Sequence, residues 1–170
     1  QTWIEEGFTI IDNLLEWARP HNMYVILDMH AAPGGQGYNA DISDYDSTKP
    51  SLWESKPNQD KLVALWRKLA DRYKDNEWIG GYDLINETNW DLPGGTLLRQ
   101  VFERITTAIR EVDKNHIIYI EGNDYANNFT GLTPPWDDNM VYSFHKYWST
   151  VNDDDLDWIL PMRDQQNVPL

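Results

Sequence analysis

The sequence has no cysteine, which excludes disulfide bonds and thiolate metal sites. It also has no run of about 18 apolar residues, so no transmembrane helix is predicted, and no signal peptide is visible. Positive charge is scarce, because 14 Lys and Arg residues stand against 28 Asp and Glu residues, giving a formal net charge of −14. Nucleic acids and anionic membrane surfaces bind to basic patches, so this charge argues against both partners. A neutral polymer would not be repelled.

Aromatic residues, by contrast, are abundant, with nine Trp and nine Tyr in 170 residues. Flat aromatic faces suit sugar rings, although most aromatic side chains in a globular protein belong to its core or interfaces. The hydrophobic fraction of 41% is sufficient for a core. A chain of this length suits one domain, and we predict a single domain over residues 1–170.

Helical and strand patterns alternate along the chain. Helices are predicted where apolar residues recur at spacings of three and four, at residues 4–18, 59–74, 98–112 and up to about 163. Strands are predicted where short apolar runs contain β-branched residues, at 24–30, 79–86, 117–120, 140–144 and, in part, 167–170. This alternation is typical of βα units with a parallel sheet, so the predicted class is α/β.

The predicted strands are too few for a closed barrel. A (β/α)8 barrel needs eight strands and about 250 residues, whereas four or five strands are predicted here. Four strands of a barrel leave two unpaired edges, which are a liability in water. We therefore predict a partial (β/α)8 barrel with parallel strands and outer helices. We expect the chain to be a fragment or to need a second chain or copy to complete the barrel.

Polar, ionisable residues stand at the end of each predicted strand. These residues are His30, Asn86 with Glu87, Glu121, and His145 with Tyr147 just beyond. In parallel α/β sheets, active sites lie at the carboxyl ends of the strands. A single residue of this kind is more often satisfied by loop hydrogen bonds, but the set of four strand ends favours an active site.

Glu87 is the strongest catalytic candidate. A carboxyl group at the end of a buried strand, beside an aromatic residue such as Trp90, suits a general acid. Hydrolysis of a glycosidic bond needs two carboxyl groups, and Glu121 is the other carboxylate that the pattern places at a strand end. Asp28 lies within the first strand and suits a structural role better.

Four segments occur in the order VILDMHAAPGGQ, IGGYDLINETNW, HIIYIEGND and VYSFHKYW. In order and spacing they resemble the third to sixth strands of the cellulases of glycoside hydrolase family 5, which are retaining (β/α)8-barrel glycosidases. The resemblance covers essentially the whole chain. Asn-Glu alone would be a weak signal, but four ordered motifs are specific.

The resemblance implies a hydrolase that acts on β-1,4-glucan by a retaining double displacement, without a metal or an organic cofactor. Glu87 would be the acid/base. The nucleophile would be a Glu in a Gly-Glu motif on the seventh strand, outside this chain, so the isolated chain would have little or no hydrolytic activity. The family also implies an extracellular or periplasmic location.

The resemblance implies sugar-binding roles for several other residues. His30 would hydrogen-bond the sugar, and Asn86 would hold its 2-hydroxyl group. His145 and Tyr147 would orient the sugar and the nucleophile. The candidates for stacking on a sugar ring are Trp148 and, about equally well explained by packing, Trp90 and Trp136.

One departure from the family lies beside the acid/base. Thr88 stands where the family usually has Pro, which should loosen the loop after Glu87. Glu121 would replace the nucleophile only in a rebuilt site, since the equivalent position in the family is part of the cleft wall. The alternatives that remain open are a related β-mannanase or β-1,3-glucanase, and a catalytically silent barrel that binds sugar or acts as a scaffold.

Overall fold

The four predicted strands form one parallel sheet. The computed structural model describes residues 2–148 and 152–170. Its strands lie side by side in chain order, as β1 (Val25–Asp28), β2 (Ile79–Asp83), β3 (Ile117–Glu121) and β4 (Met140–Ser143). Every adjacent pair is parallel. The prediction of an α/β fold with a parallel sheet is confirmed.

Helices connect the strands, as the alternating pattern predicts. The α-helices are α1 (Glu5–Ala18), α2 (Ala40–Ser43), α3 (Lys56–Tyr73), α4 (Thr96–Arg110), α5 (Asn123–Ala126) and α6 (Leu160–Gln166). Short 3-10 turns lie at Arg19–His21, Pro93–Gly95 and Asp153–Leu156. Between residues 2 and 148, and again from 152 onward, no helix is long and apolar enough to cross a lipid bilayer.

Helix α3 begins three residues earlier than its apolar pattern predicts. The side chain of Ser55 accepts a hydrogen bond from the backbone N–H of Asn58, which caps the first turn. Pro57 lies in that turn, where its missing N–H costs nothing. The capping residues therefore set this boundary, and the apolar stripe begins one turn later.

The core lies between the sheet and the helices α3 and α4, which contact each other. Trp66 and Phe102 are fully buried there. Burying a large apolar side chain of this kind contributes about 1.5–3 kcal/mol. The indole N–H of Trp66 also donates to the carbonyl of Leu84 at 2.9 Å, so its one polar atom is satisfied.

Strand β2 ends at Asp83, three residues before the predicted end. Leu84 and Asn86 still bond to the strands on either side. The N–H of Leu84 donates to the carbonyl of Tyr119 at 3.3 Å, and that of Asn86 donates to the carbonyl of Met29 at 3.1 Å. The backbone just before Glu87 is therefore held between its two neighbours although it has left the regular ladder.

The two outer strands of the sheet have different surroundings. Beside β4, the N–H of Tyr142 donates to the carbonyl of Pro169 at 3.1 Å, so residues 167–170 lie along this strand without forming the predicted fifth strand. Beside β1, an open apolar groove of about 550 Å³ lies against α1. Ile26 is 48% exposed there, and Ile4, which was predicted as the first residue of the first helix but precedes it, is 79% exposed. We call this side of the sheet the β1 edge.

Candidate active site

The carboxyl ends of β2, β3 and β4 bring three predicted site residues together. His145 lies between two carboxyl groups, with Nδ1 2.5 Å from Oε1 of Glu87 and Nε2 3.2 Å from Oε1 of Glu121. Most of the surface of the Glu87 and His145 side chains is covered, and that of Glu121 is almost completely buried. A residue from each of three strand ends therefore belongs to one hydrogen-bonded group.

The backbone of Glu87 is fixed as well as its side chain. Its N–H donates to Oε2 of Glu121 at 2.6 Å. Its φ of 40° lies in the left-handed region, which costs a residue with a side chain of the order of 1–3 kcal/mol and persists only where the surroundings enforce it. Glu121 therefore holds the backbone of Glu87, while His145 holds its carboxyl group. Glu121 is 1% exposed and lies beneath the surface, not in a cleft wall as the family resemblance implied.

Thr88 forms hydrogen bonds through both its side chain and its backbone. It is completely buried, its hydroxyl donates to the carbonyl of Gly122 at 3.3 Å, and its carbonyl accepts from the N–H of Tyr125 at 3.0 Å. We expected Thr in place of Pro to loosen this loop, but that expectation considered only the loss of the proline ring and not these two hydrogen bonds. A hydroxyl group supplies an anchor that a proline ring lacks.

The next two residues are tied to the same partner segment. The amide of Asn89 donates to the hydroxyl of Tyr125 at 2.7 Å. The side chain of Asn123 accepts from the N–H of Trp90 at 3.3 Å and donates to its carbonyl at 2.9 Å. Residues 121–125, which we call the β3 clamp, thus bond to every residue from 87 to 90.

Near Glu87 lies a group of three carboxyls, in which Glu121 and Asp83 are buried and Asp83 was not singled out from the sequence. Burial raises the pKa of Glu121, and the neighbouring charge of Asp83 raises it further. Burial likewise raises the pKa of Asp83, with a further contribution from Asp28. The pKa of Asp28 is also raised by burial. The sequence signal that could have revealed this group of carboxyls was Asp83, a charged residue within an apolar strand.

Asn86 presents a buried amide next to Glu87. Its carbonyl accepts from Nε2 of Gln36 at 2.9 Å, and the same nitrogen donates to the carbonyl of His30 at 2.9 Å. Within the described part of the chain, Nδ2 of Asn86 is buried without a hydrogen-bond partner. A buried donor left unsatisfied costs about 1–3 kcal/mol, so an acceptor on a ligand would be bound favourably there.

Gln36 was not singled out from the sequence. It is fully buried, and its Oε1 accepts from the N–H of Ala32 at 3.0 Å. It thus joins the end of β1 to the residue before Glu87. His30, at the same strand end, is exposed, with Nδ1 3.2 Å from Oδ2 of Asp28. The structural role that we expected for Asp28 is compatible with this contact.

Two of the four predicted aromatic residues are exposed near His145. Tyr147 is 81% exposed and contacts the His145 ring edge-on, with centroids 5.9 Å apart. Trp148 is 65% exposed, and the ammonium group of Lys146 lies over its ring. Trp90 stacks on Tyr38, which was not predicted, with centroids 3.9 Å apart.

Trp136 lies elsewhere, in the loop before β4, where it packs against helix α4. Its ring stacks against Phe102, its indole N–H donates to the hydroxyl of Thr106 at 3.1 Å, and the guanidinium group of Arg99 lies over its face at 4.8 Å. These contacts correspond to packing, the second of the two roles considered for it. We therefore leave Trp136 out of the candidate site.

Comparison with known proteins identifies a family model and relatives named as glycoside-hydrolysing enzymes. A model of the cellulase family, glycosyl hydrolase family 5, matches residues 1–168. The chain is 37% identical over 146 residues to a beta-xylosidase of Phanerodontia chrysosporium and 34% identical over 145 residues to endoglucanase C of Acetivibrio thermocellus. Each alignment covers 84% of this chain.

A solved structure shows the same fold at lower identity. Thermotoga maritima Cel5A in complex with cellobiose superposes with a TM-score of 0.72 at 17% identity, covering 99% of this chain and 59% of that one. The chain spans 30% of the beta-xylosidase and 40% of endoglucanase C. The parallel sheet and its helices are therefore part of a (β/α)8 barrel.

Proposed function

Because this chain belongs to the cellulase family, glycosyl hydrolase family 5, we propose that it forms part of the catalytic barrel of a retaining β-glycosidase. We propose β-1,4-glucan as its substrate and Glu87 as its acid/base. The nucleophile is contributed by a part of the barrel outside the described residues. Since such a polymer lies outside cells, we also propose an extracellular or periplasmic location.

The observation that carries the proposal is the fixation of Glu87. Its carboxyl group is held by His145 at 2.5 Å, and its backbone by Glu121 at 2.6 Å. An acid/base must keep one position through two proton transfers. In the first, Glu87 donates its proton to the leaving oxygen while the nucleophile attacks the anomeric carbon. In the second, Glu87 takes a proton from the water molecule that releases the sugar.

The neighbours of Glu87 supply the sugar contacts in this proposal. The amide of Asn86 donates to the 2-hydroxyl group, which requires its buried, unpaired Nδ2 to turn towards the sugar. His145 orients the carboxyl group of Glu87, and the exposed rings of Tyr147 and Trp148 lie against the sugar. His30, exposed at the end of β1, binds a hydroxyl group further along the cleft.

The acid/base role is tested by Glu87→Gln in a longer protein that carries this sequence together with the rest of its barrel. General acid catalysis contributes about 10²–10⁴-fold, so hydrolysis of a soluble β-1,4-glucan should fall by this factor. An aryl glycoside whose leaving group needs no proton should still release its phenol. The matched control is Glu16→Gln, an exposed carboxyl on α1. Full activity of the Glu87→Gln protein on the polymer would contradict the assignment.

The retaining mechanism is tested by Glu87→Ala with added azide. Removing the carboxyl leaves room for this small anion, which should attack the glycosyl intermediate. A β-glycosyl azide would support double displacement, and an α-glycosyl azide would contradict it. Parallel assays on β-1,3-glucan, mannan and xylan test the substrate, and faster hydrolysis of any of these would replace β-1,4-glucan.

A catalytically silent barrel that binds sugar is the second candidate. It is favoured by the burial of Glu121, because a carboxyl group that is 1% exposed and bonded to the N–H of Glu87 cannot attack a substrate, which leaves Glu87 without a second catalytic carboxyl at the described strand ends. Binding of cello-oligosaccharides without turnover by the longer protein would establish this role. Turnover that depends on Glu87 would exclude it.

A further inference from the structure

The peptide group that joins Asn86 to Glu87 is hydrogen-bonded at both of its ends. Its carbonyl accepts from Nε2 of Gln36 at 2.9 Å, and its N–H donates to Oε2 of Glu121 at 2.6 Å. Gln36 follows β1 and Glu121 ends β3, so the two bonds come from opposite sides of β2. Because a peptide group is planar, bonds at both ends together fix its rotation.

The rotation of this peptide group determines the backbone conformation of Glu87. Its φ of 40° lies in the left-handed region, and the strain of that conformation is of the same order as the contribution of one or two buried hydrogen bonds. A turn of the peptide group would relieve the strain and change the direction of the Cα–Cβ bond of Glu87. The carboxyl group would then leave its position beside Nδ1 of His145, so the two bonds oppose this turn.

A glutamine side chain matches the groups around position 36. Oε1 of Gln36 accepts from the N–H of Ala32 at 3.0 Å. Because an N–H can only donate, the amide oxygen must face Ala32, and the amide nitrogen faces the carbonyls of His30 and Asn86, each at 2.9 Å. A carboxylate in this place would bring negative charge against both carbonyls. An apolar side chain would leave all three backbone groups without this partner.

Gln36 is itself held in place by its surroundings. It is completely buried, and its backbone carbonyl accepts from the indole N–H of Trp53 at 2.9 Å. Two residues further on, the N–H of Tyr38 donates to the carbonyl of Asn89 at 3.0 Å. The loop after β1 is therefore bonded to the chain both before and after Glu87. A side chain that is locked by packing and hydrogen bonds can hold a reacting group with the precision that catalysis needs.

We propose that Gln36 is a positioning residue for the acid/base, because its amide bond to the carbonyl of Asn86 keeps Glu87 in the left-handed conformation that aims its carboxyl group. The proposal rests on the proposed function, since it assumes that Glu87 transfers the proton. Gln36 is completely buried, so it acts through the peptide group and not by touching the sugar. A misplacement of about 1 Å can lower a rate by about 10²-fold, so the effect should fall on proton transfer.

The kinetic test is Gln36→Met in the longer protein that carries the rest of the barrel. We expect kcat on a soluble β-1,4-glucan to fall by about 10–10²-fold with an almost unchanged KM. For an aryl glycoside whose leaving group needs no proton, kcat/KM should stay close to the parent value. Equal losses on both substrates would indicate a merely structural role and refute the proposal.

Gln59→Met is the matched control. Gln59 is also a buried glutamine, and its Nε2 donates to the carbonyl of Leu52 at 3.1 Å, but it lies in helix α3. The substitution removes a buried amide that is bonded to a carbonyl, as Gln36→Met does, without touching the peptide group before Glu87. It should leave the kinetics of both substrates unchanged.

A second variant and a measurement on the parent chain guard against misfolding of Gln36→Met. In Gln36→Glu, a protonated carboxyl keeps the acceptor for Ala32 and one O–H donor, so at acidic pH this variant should lose less activity than Gln36→Met. Hydrogen exchange followed by NMR tests the fixation directly. The amide hydrogen of Glu87 should exchange far more slowly than in an unstructured peptide, and about tenfold faster in Gln36→Met than in the parent, which corresponds to about 1.4 kcal/mol.

The outcomes separate this proposal from the proposed function. If Glu87→Gln loses activity on the polymer while Gln36→Met keeps the parent kinetics, the positioning role is refuted and the proposed function stands. Exchange of the Glu87 amide at the rate of an unstructured peptide, or equal losses in the two Gln36 variants at acidic pH, would also refute it. Full activity of Glu87→Gln would refute both.

Discussion

Glu121→Gln is the most informative single substitution, because it separates the charge of the buried carboxyl from its shape. The glutamine oxygen can still accept from the N–H of Glu87, and its amide can donate to Asp83. What disappears is the ability to titrate. Burial raises the pKa of Glu121 from 4.5 to about 9, so the folded chain retains a proton that the unfolded chain has lost.

The expected effect is a change in how stability depends on pH. Because the folded pKa is raised, the stabilisation is complete below the ordinary pKa and is lost as the pH rises towards the folded value. One retained proton corresponds to about 1.4 kcal/mol for each pH unit. The pKa of the neighbouring Asp83 is raised as well, by burial and by the charge of Asp28, so Glu121 and Asp83 together retain the proton that causes this decline. The parent chain should lose about 2 kcal/mol between pH 7 and pH 8.5.

Urea unfolding followed by tryptophan fluorescence measures this decline at each pH. Glu121→Gln should show less than half of the decline of the parent chain over the same interval. Glu16→Gln, which removes an exposed carboxyl from α1, should follow the parent. Parallel declines in the parent and Glu121→Gln proteins would refute the reasoning, as would a parent chain whose stability is constant or rises above pH 7.

Three further substitutions test the packing around the site, each by its free energy of unfolding. In Gly95→Ala the new Cβ would overlap the carbonyl oxygen of Thr130 at a φ of +67°, so we expect a loss of about 3 kcal/mol or more. Gly7→Ala, where α1 leaves open space, should gain up to about 1 kcal/mol. Tyr125→Phe removes the acceptor of Asn89 from the β3 clamp and should cost about 1 kcal/mol, against almost nothing for the exposed Tyr24→Phe. Leu62→Ala, at a fully buried position, should cost about 2–5 kcal/mol, and the 42% exposed Leu14→Ala should cost clearly less. Similar losses within any of these pairs would contradict the packing described.

The fold was predictable because its signals are local and periodic. The stripe that contains Leu62, Trp66 and Leu69 is buried as predicted, and the four strands lie in the predicted parallel arrangement. Boundaries were less predictable, since they depend on single side chains such as the capping hydroxyl of Ser55. The 79% exposure of Ile4 is not predictable from apolar spacing, because spacing shows which face of a helix is apolar and not what covers that face.

For the candidate site, the sequence predicts only which strand ends meet and not the contacts between their residues. Parallel strands deliver Glu87, Glu121 and His145 to one edge, and the structure brings these three together. The β3 clamp was not predictable, because its bonds join residues more than 30 positions apart and depend on a left-handed turn without glycine. For the same reason, Thr88 could be interpreted from the sequence only as the loss of a proline.

The exposed β1 edge has a consequence for the behaviour of the chain in solution. An outer strand with unpaired backbone groups and exposed apolar side chains is a template for association with another copy. Opposing this, the net charge of −14 makes the copies repel one another. That repulsion extends about 30 Å at 0.01 M salt but only about 3 Å at 1 M. Colloidal stability should therefore decrease as salt is added, so that a dilute buffer, not a concentrated one, keeps this protein dispersed.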